Sequence, residues 1–194
     1  MSKIFLNLGS GPRAAMPIGS ELFQGWREVR VDVNEEAKPD LVASLVDLKS
    51  FVQDKSVDIV YCSHVIEHFY SHEVPIVLSE ISRILKNDGI AVFKCPDLSQ
   101  VKDLLDADNL EKTLYESPAG SISVLDVLYG HRQSISNGNP FMAHKSGFTE
   151  EYLAKLLLDA GFSKISTQKG KSIDFSAKAS FQESVYESHY LKLI

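Results

Sequence analysis

Lys3-Ile4-Phe5-Leu6-Asn7-Leu8-Gly9-Ser10-Gly11 decides the fold of this chain. Its apolar run reads as a buried strand that ends in a Gly-x-Gly turn. At a strand's carboxyl end such a turn lets a ligand approach the backbone, because no Cβ blocks the way and positive φ carries no penalty. The stretch that follows, Pro12-Arg13-Ala14-Ala15-Met16-Pro17-Ile18-Gly19, suits no regular helix, since proline removes a donor and clashes with the preceding turn. Dinucleotide sites place a helix N-terminus there to hold a pyrophosphate. A nucleoside without phosphates therefore fits better than NAD. Gly9-x-Gly11-x-x-Ala14 with Asp32 about 20 residues further on does satisfy the dinucleotide fingerprint formally. The interrupted helix and a chain too short for a separate substrate domain speak against that reading.

Outward from this turn, apolar runs alternate with helical patterns, the signature of parallel strands joined by crossover helices. Strands are expected at about 3–8, 28–33, 40–45, 57–62, 90–95 and 162–168. Either 188–194 or 175–181 supplies the last one. The clearest helix spans residues 74–86, with Val77, Ile81, Ile84 and Leu85 on one face and Asn87-Asp88-Gly89 as its stop. A second begins at a Thr149 cap and ends at Gly161, with Glu150 and Glu151 in the first turn, where the helix dipole favours acids. Residues 98–145 form a connection far longer than a strand-to-helix link needs. They are expected to be short helices and loops above the carboxyl edge of the sheet, a cap over the substrate.

The 194 residues fit one domain, 1–194, with the 98–145 insertion inside it. A net charge of −6 and a pI near 5.5 give no general attraction for phosphate backbones, so no nucleic-acid partner is expected. The small basic group Lys164, Lys169 and Lys171 reads as solvated lysines around a strand end. Cys62 and Cys95 lie inside apolar runs and read as core thiols of a reducing compartment. No run approaches the roughly 18 apolar residues of a membrane span. A soluble, cytoplasmic protein with no membrane partner is expected, and its oligomeric state is not readable from the chain.

Taken together, the chain resembles the class I SAM-dependent methyltransferases, in particular a small group sometimes associated with glycan-modifying genes. The resemblance runs through Asn7-Leu8-Gly9-Ser10-Gly11, Gly25-Trp26, Val31-Asp32-Val33 and Asp47-Leu48. It continues through the segment from Val57 to His68, Arg83-Ile84-Leu85-Lys86-Asn87-Asp88-Gly89, His144-Lys145-Ser146-Gly147-Phe148-Thr149 and Asp159-Ala160-Gly161-Phe162. It implies an α/β fold: a Rossmann-like seven-stranded mixed sheet, its last strand antiparallel, with helices on both faces and a cap insertion after strand five. It also implies S-adenosyl-L-methionine as cofactor and S-adenosylhomocysteine as product. The cofactor is expected against Asn7, Leu8, Gly9, Ser10, Gly11, Asp32, Val33, Ser44, Leu45, Asp47, Ser63 and His64. Asp32 would accept from both ribose hydroxyls. Asn7 stands where the wider superfamily has an acid, and Ser44 where an aspartate often meets the adenine amino group.

The acceptor is expected to be a small molecule or sugar hydroxyl. Methyl transfer is an in-line displacement that chiefly needs alignment and a dry pocket. An alcohol, however, benefits from a general base, and histidine is a natural choice. His131 and His144 are the candidates, with Asp97 binding the acceptor or orienting the base. His64, Glu67 and His68 share one face if helical and match the H-x-x-E-H metalloprotease string. Their place after strand four favours a structural or cofactor-supporting role over a Mg²⁺ site or a zinc hydrolase, so no metal ligand is assigned. A SAM-binding module without chemistry and an NAD-dependent oxidoreductase are the alternatives to an O-methyltransferase.

Overall fold

The structure is a computed structural model that describes residues 2–12, 23–105, 109–117, 120–170, 172–190 and 193. Strands β1 (Ile4–Leu8), β2 (Arg27–Asp32), β3 (Leu41–Val42) and β4 (Val57–Ser63) lead to helix α1 (Val74–Ile84) and the long strand β5 (Leu85–Pro96). The insertion then contributes α2 (Leu98–Val101), the hairpin β6 (Thr113–Ser117) and β7 (Gly120–Ser123), α3 (Val124–Tyr129) and α4 (Arg132–Ser136). Helix α5 (Glu150–Asp159), strands β8 (Lys164–Lys169) and β9 (Asp174–Ser180) and the short helix α6 (Glu187–Tyr190) complete the order.

One seven-stranded sheet has the order β3-β2-β1-β4-β5-β9-β8. The first five strands run parallel, and β9 is antiparallel to both β5 and β8. This is the Rossmann-like α/β architecture, a seven-stranded mixed sheet with its last strand antiparallel, that the resemblance implied. Its central strands are apolar on both faces because both are covered. Leu6, Leu8, Val60, Cys62, Ala91 and Phe93 meet α1 and α5 through Val77, Leu78, Ile81, Leu153 and Leu157. On the opposite face Phe5, Ile59, Ile90 and Val92 lie under Phe23, Trp26, Tyr186 and Leu193. Each fully buried aliphatic side chain contributes roughly 1.5–3 kcal/mol, so these two layers dominate the stability.

Asp58 fastens the second layer. Its carboxylate accepts from the Ile4 amide, the Lys86 ammonium and the Tyr186 hydroxyl, each at 2.8 Å. Burial alone would raise its pKa, but these donors hold it below the usual carboxylate range.

Several expectations need correction. The third strand shrinks from 40–45 to Leu41–Val42, and Leu45–Asp47 turns into a 3₁₀ segment that follows Ser44. Helix α1 stops at Ile84, short of residue 86 and the glycine stop, because Leu85 is already extended and pairs with Val57. Sheet hydrogen bonding captures that backbone before a C-terminal cap can form. The insertion is more than helices and loops: β6 and β7 pair, and Val101, Ile122, Val124 and Val127 form a small core of their own. Residues 188–194 supply no strand at their start, since Glu187–Tyr190 is helical, and the competing segment forms β9. Residues 13–22, which include the interrupted helix, and Lys171 lie outside the described residues. Lys164 of the basic group is exposed and paired with Glu183 at 3.3 Å. No described helix is long and apolar enough to cross a membrane.

Candidate active site

Where β1 ends, Gly9 and Gly11 both take φ of +59°. Gly9 also has a neighbour that requires glycine: an added Cβ would stand 2.3 Å from Val65 Cγ2. The turn is fixed from two sides. The Gly11 amide donates to Asp32 Oδ2 at 2.8 Å, and the Gly11 carbonyl accepts from the buried Arg30 guanidinium, which also donates to the Lys38 carbonyl at 3.1 Å. The other Asp32 oxygen accepts from the Asn34 amide at 2.8 Å. A carboxylate therefore sits at the end of β2 with one lone-pair site per oxygen committed to the backbone and the remainder open.

Above this turn lies a cavity of about 520 Å³, within the range typical of small-molecule sites. Of the expected cofactor residues, Gly9, Gly11, Asp32, Val33, Ser44, Leu45 and His64 line it. Asn7, Leu8, Ser10, Asp47 and Ser63 do not. Asn7 is nearly buried and donates to Glu28 Oε1 at 3.0 Å, Leu8 belongs to the core, and Asp47 accepts from the Ser50 hydroxyl at 3.0 Å. Sequence reasoning missed Asn34, Phe69, Glu73, Asn139, Met142 and Lys145 in the wall. Their motifs carry no local signal, because the last three arrive from the far end of the insertion.

The opposite wall is a histidine corner. His64 takes φ of +54° and Ile66–His68 makes one 3₁₀ turn, so the expected helical face does not form. Glu67 is only 1% exposed. Its backbone carbonyl accepts from the amides of Lys145 and Ser146, at 2.8 and 3.1 Å, which draws the end of the insertion onto this turn. His144 thereby meets His68, with ring centroids 4.9 Å apart. His68 Nδ1 lies 3.0 Å from the Ala143 carbonyl and His144 Nδ1 lies 2.9 Å from the Val127 carbonyl. A carbonyl only accepts, so each Nδ1 carries a proton, and Nε2 is the ring nitrogen left for another partner.

Charges in this corner respond to one another. Burial would raise the Glu67 pKa, but His64, with Nδ1 3.4 Å from Oε1, and the nearby His68 and His144 bring it below its ordinary value. For His64 burial lowers the pKa, and Glu67 more than offsets it, leaving it raised. His144 is lowered, by burial first, and is neutral at neutral pH.

The other two acceptor-side candidates stand elsewhere. Asp97 is fully buried and caps α2, accepting from the Ser99 amide and hydroxyl and from Gln100 Nε2, at 2.9, 2.7 and 3.0 Å. His131 caps α4, with Nδ1 2.7 Å from the Ser134 hydroxyl, and does not line the cavity.

Residues 6–93 match the methyltransferase domain family. No curated protein matches the sequence. Among solved structures, a SAM-dependent methyltransferase from Archaeoglobus fulgidus is similar at 16% identity and a TM-score of 0.55, over 92% of this chain and 86% of that one. DhpI in complex with SAH is similar at 14% identity and 0.56, over 92% and 76%. The 1,6-didemethyltoxoflavin-N1-methyltransferase of Burkholderia thailandensis, solved with its substrate and S-adenosylhomocysteine, is similar at 16% and 0.53, over 92% and 70%. The glycine turn and Asp32 fall inside the segment that matches the methyltransferase domain model, and the strand order is that of the fold shared with these solved structures.

Proposed function

We propose that the protein moves the methyl group of S-adenosyl-L-methionine to a hydroxyl of a small-molecule or glycan acceptor, with S-adenosylhomocysteine as product. The observation that carries this reading is Asp32, a carboxylate presented at the cavity rim with both oxygens held in place by backbone amides. Its open lone pairs suit the two hydroxyls of a ribose. The wall fits the rest of a nucleoside. Among the described residues an added Cβ on Gly11 would meet nothing within 4 Å, which suits a close approach of a ligand to the backbone there. Val33, Ala37, Ala43 and Leu45 offer an apolar face for a base, and the Ser44 hydroxyl makes no capping bond and is available to it.

When bound, the cofactor supplies an electrophilic sulfonium methyl. The chain's part is to align the acceptor, exclude water and deal with the acceptor's proton. Asp32 and the Gly9–Gly11 turn would hold the cofactor, whose sulfur would take up the carbon–sulfur electron pair, and the corner of His68 and His144 would receive the acceptor's hydroxyl proton. Residues 98–145 serve as the cap, and Asn139, Phe141 and Lys145 face the acceptor side of the cavity. His144 is the one acceptor-side candidate that reaches this cavity's wall, through His68, and we assign acceptor activation to that corner.

Turnover with a panel of sugar and small-molecule alcohols, scored by mass spectrometry for S-adenosylhomocysteine and a methylated product, tests the reading. Methylation of alcohols is expected. Methylation of amines alone would replace the hydroxyl assignment, and cofactor binding without product from any acceptor would mark a silent binding module.

A further inference from the structure

We propose that Glu67, His68 and His144 bind one divalent first-row transition-metal ion, of the Zn²⁺ type, at the cavity wall. The carboxylate oxygens and ring nitrogens of these three residues all lie within 4.8 Å of one another. Ligands around a single Zn²⁺ at about 2.1 Å stand roughly 3–3.5 Å apart, so modest side-chain rotations close the set.

Three independent features build the site. Glu67 is a buried carboxylate, and among the described residues neither of its oxygens has a hydrogen-bond partner. His64 approaches only one of them, at 3.4 Å, longer than a charge-assisted bond, and is itself 48% exposed. Leaving such a group unpaired is costly, so it is the kind of atom that a cation satisfies. Next, both histidines are oriented as ligands are: a backbone carbonyl fixes each Nδ1 and leaves each Nε2 to bind. Lastly, the backbone is shaped to deliver His144. Gly130, at φ +89°, pairs with Ala143, and an added Cβ there would stand 1.8 Å from the Met142 carbonyl oxygen.

Two imidazoles with one carboxylate suit borderline ions such as Zn²⁺ or Co²⁺ better than Mg²⁺, which prefers oxygen ligands. Three protein ligands leave coordination open, and His68 lines the cavity, so the open side is available to an acceptor hydroxyl. The cation would ease loss of that hydroxyl's proton to solvent. This role rests on the methyl-transfer reading, whereas binding of the ion does not.

Calorimetric titration of the full chain with ZnCl₂, without S-adenosyl-L-methionine, is expected to show one saturable site, with Mg²⁺ weaker by roughly tenfold or more. Glu67→Gln and His144→Gln should each weaken Zn²⁺ by roughly tenfold or more. In the unsubstituted protein Co²⁺ should perturb the ring resonances of His68 and His144 and spare those of His72 and His131, a result that needs no variant to fold. No saturable site, retained affinity in both folded variants, or Co²⁺ effects at His72 or His131 in place of His68 and His144 would overturn the proposal. A parallel titration with S-adenosyl-L-methionine separates the two ideas. Cofactor binding without a Zn²⁺ site removes the ion alone, and a Zn²⁺ site without cofactor binding keeps the ion and removes its assigned role.

Discussion

Replacing Asp32 by asparagine tests the cofactor site at its most informative atom. Asp32 accepts from Gly11 N and Asn34 N at 2.8 Å each and keeps further lone pairs for a ligand. Asparagine retains one oxygen but turns an NH₂ toward one of the two backbone amides, so one donor loses its partner. The ligand also exchanges a charged acceptor, worth about 1.5–3 kcal/mol per bond, for a neutral one worth about 0.5–1.5. The net loss in affinity for S-adenosyl-L-methionine should be about 1–2 kcal/mol, or roughly 5–30-fold in Kd. Calorimetry of both proteins at one ionic strength, with thermal unfolding to confirm that the variant folds, gives the comparison. An unchanged Kd in a folded variant would refute the ribose assignment.

Three further outcomes follow from the geometry. Gly130→Ala must open the contact with Met142, and we expect a loss of about 1–3 kcal/mol in chemical unfolding together with loss of the His68–His144 ring contact. Burial would raise the Asp126 pKa, but Ser123 and Arg132 hold it at about 2 against 3.8 when free. The stability this gives, about 2 kcal/mol, is present above the free value and lost as the pH falls from about 4 to about 2, so the stability gap between wild type and Asp126→Asn should close over that window. Burial pushes the Cys62 and Cys95 thiols up, with the Glu67 charge adding to it, so neither should react with a thiol reagent until the protein unfolds.

Much of the fold was legible because its signals are local. The apolar runs gave β1, β2 and β4, the Gly9–Gly11 turn marked the ligand edge, and Thr149 with its two glutamates marked the start of α5. Asp97 shows how a local signal can be read two ways. Its place after strand five suggested the acceptor, yet Asp97-Leu98-Ser99-Gln100 is also an N-cap sequence, and the cap is what forms.

The histidine corner was only half legible. The sequence shows Glu67 and His68 as a pair and sets His64 beside them, three residues from Glu67. His144 arrives instead through hydrogen bonds from the Lys145 and Ser146 amides to the Glu67 carbonyl. No periodicity encodes a contact across that span of chain. Arg30 went unseen for a similar reason: its buried guanidinium ties Gly11 to Lys38, carbonyls that meet only when β1 and β2 pair.

The cavity above Gly9, Gly11 and Asp32 is proposed to take a sulfonium nucleoside. Calorimetric titration of S-adenosyl-L-methionine into the full chain measures it directly. One site of about micromolar affinity, with no competition from NADH, is the expected result. No heat and no thermal stabilisation at millimolar S-adenosyl-L-methionine, or NADH binding in its place, would contradict it.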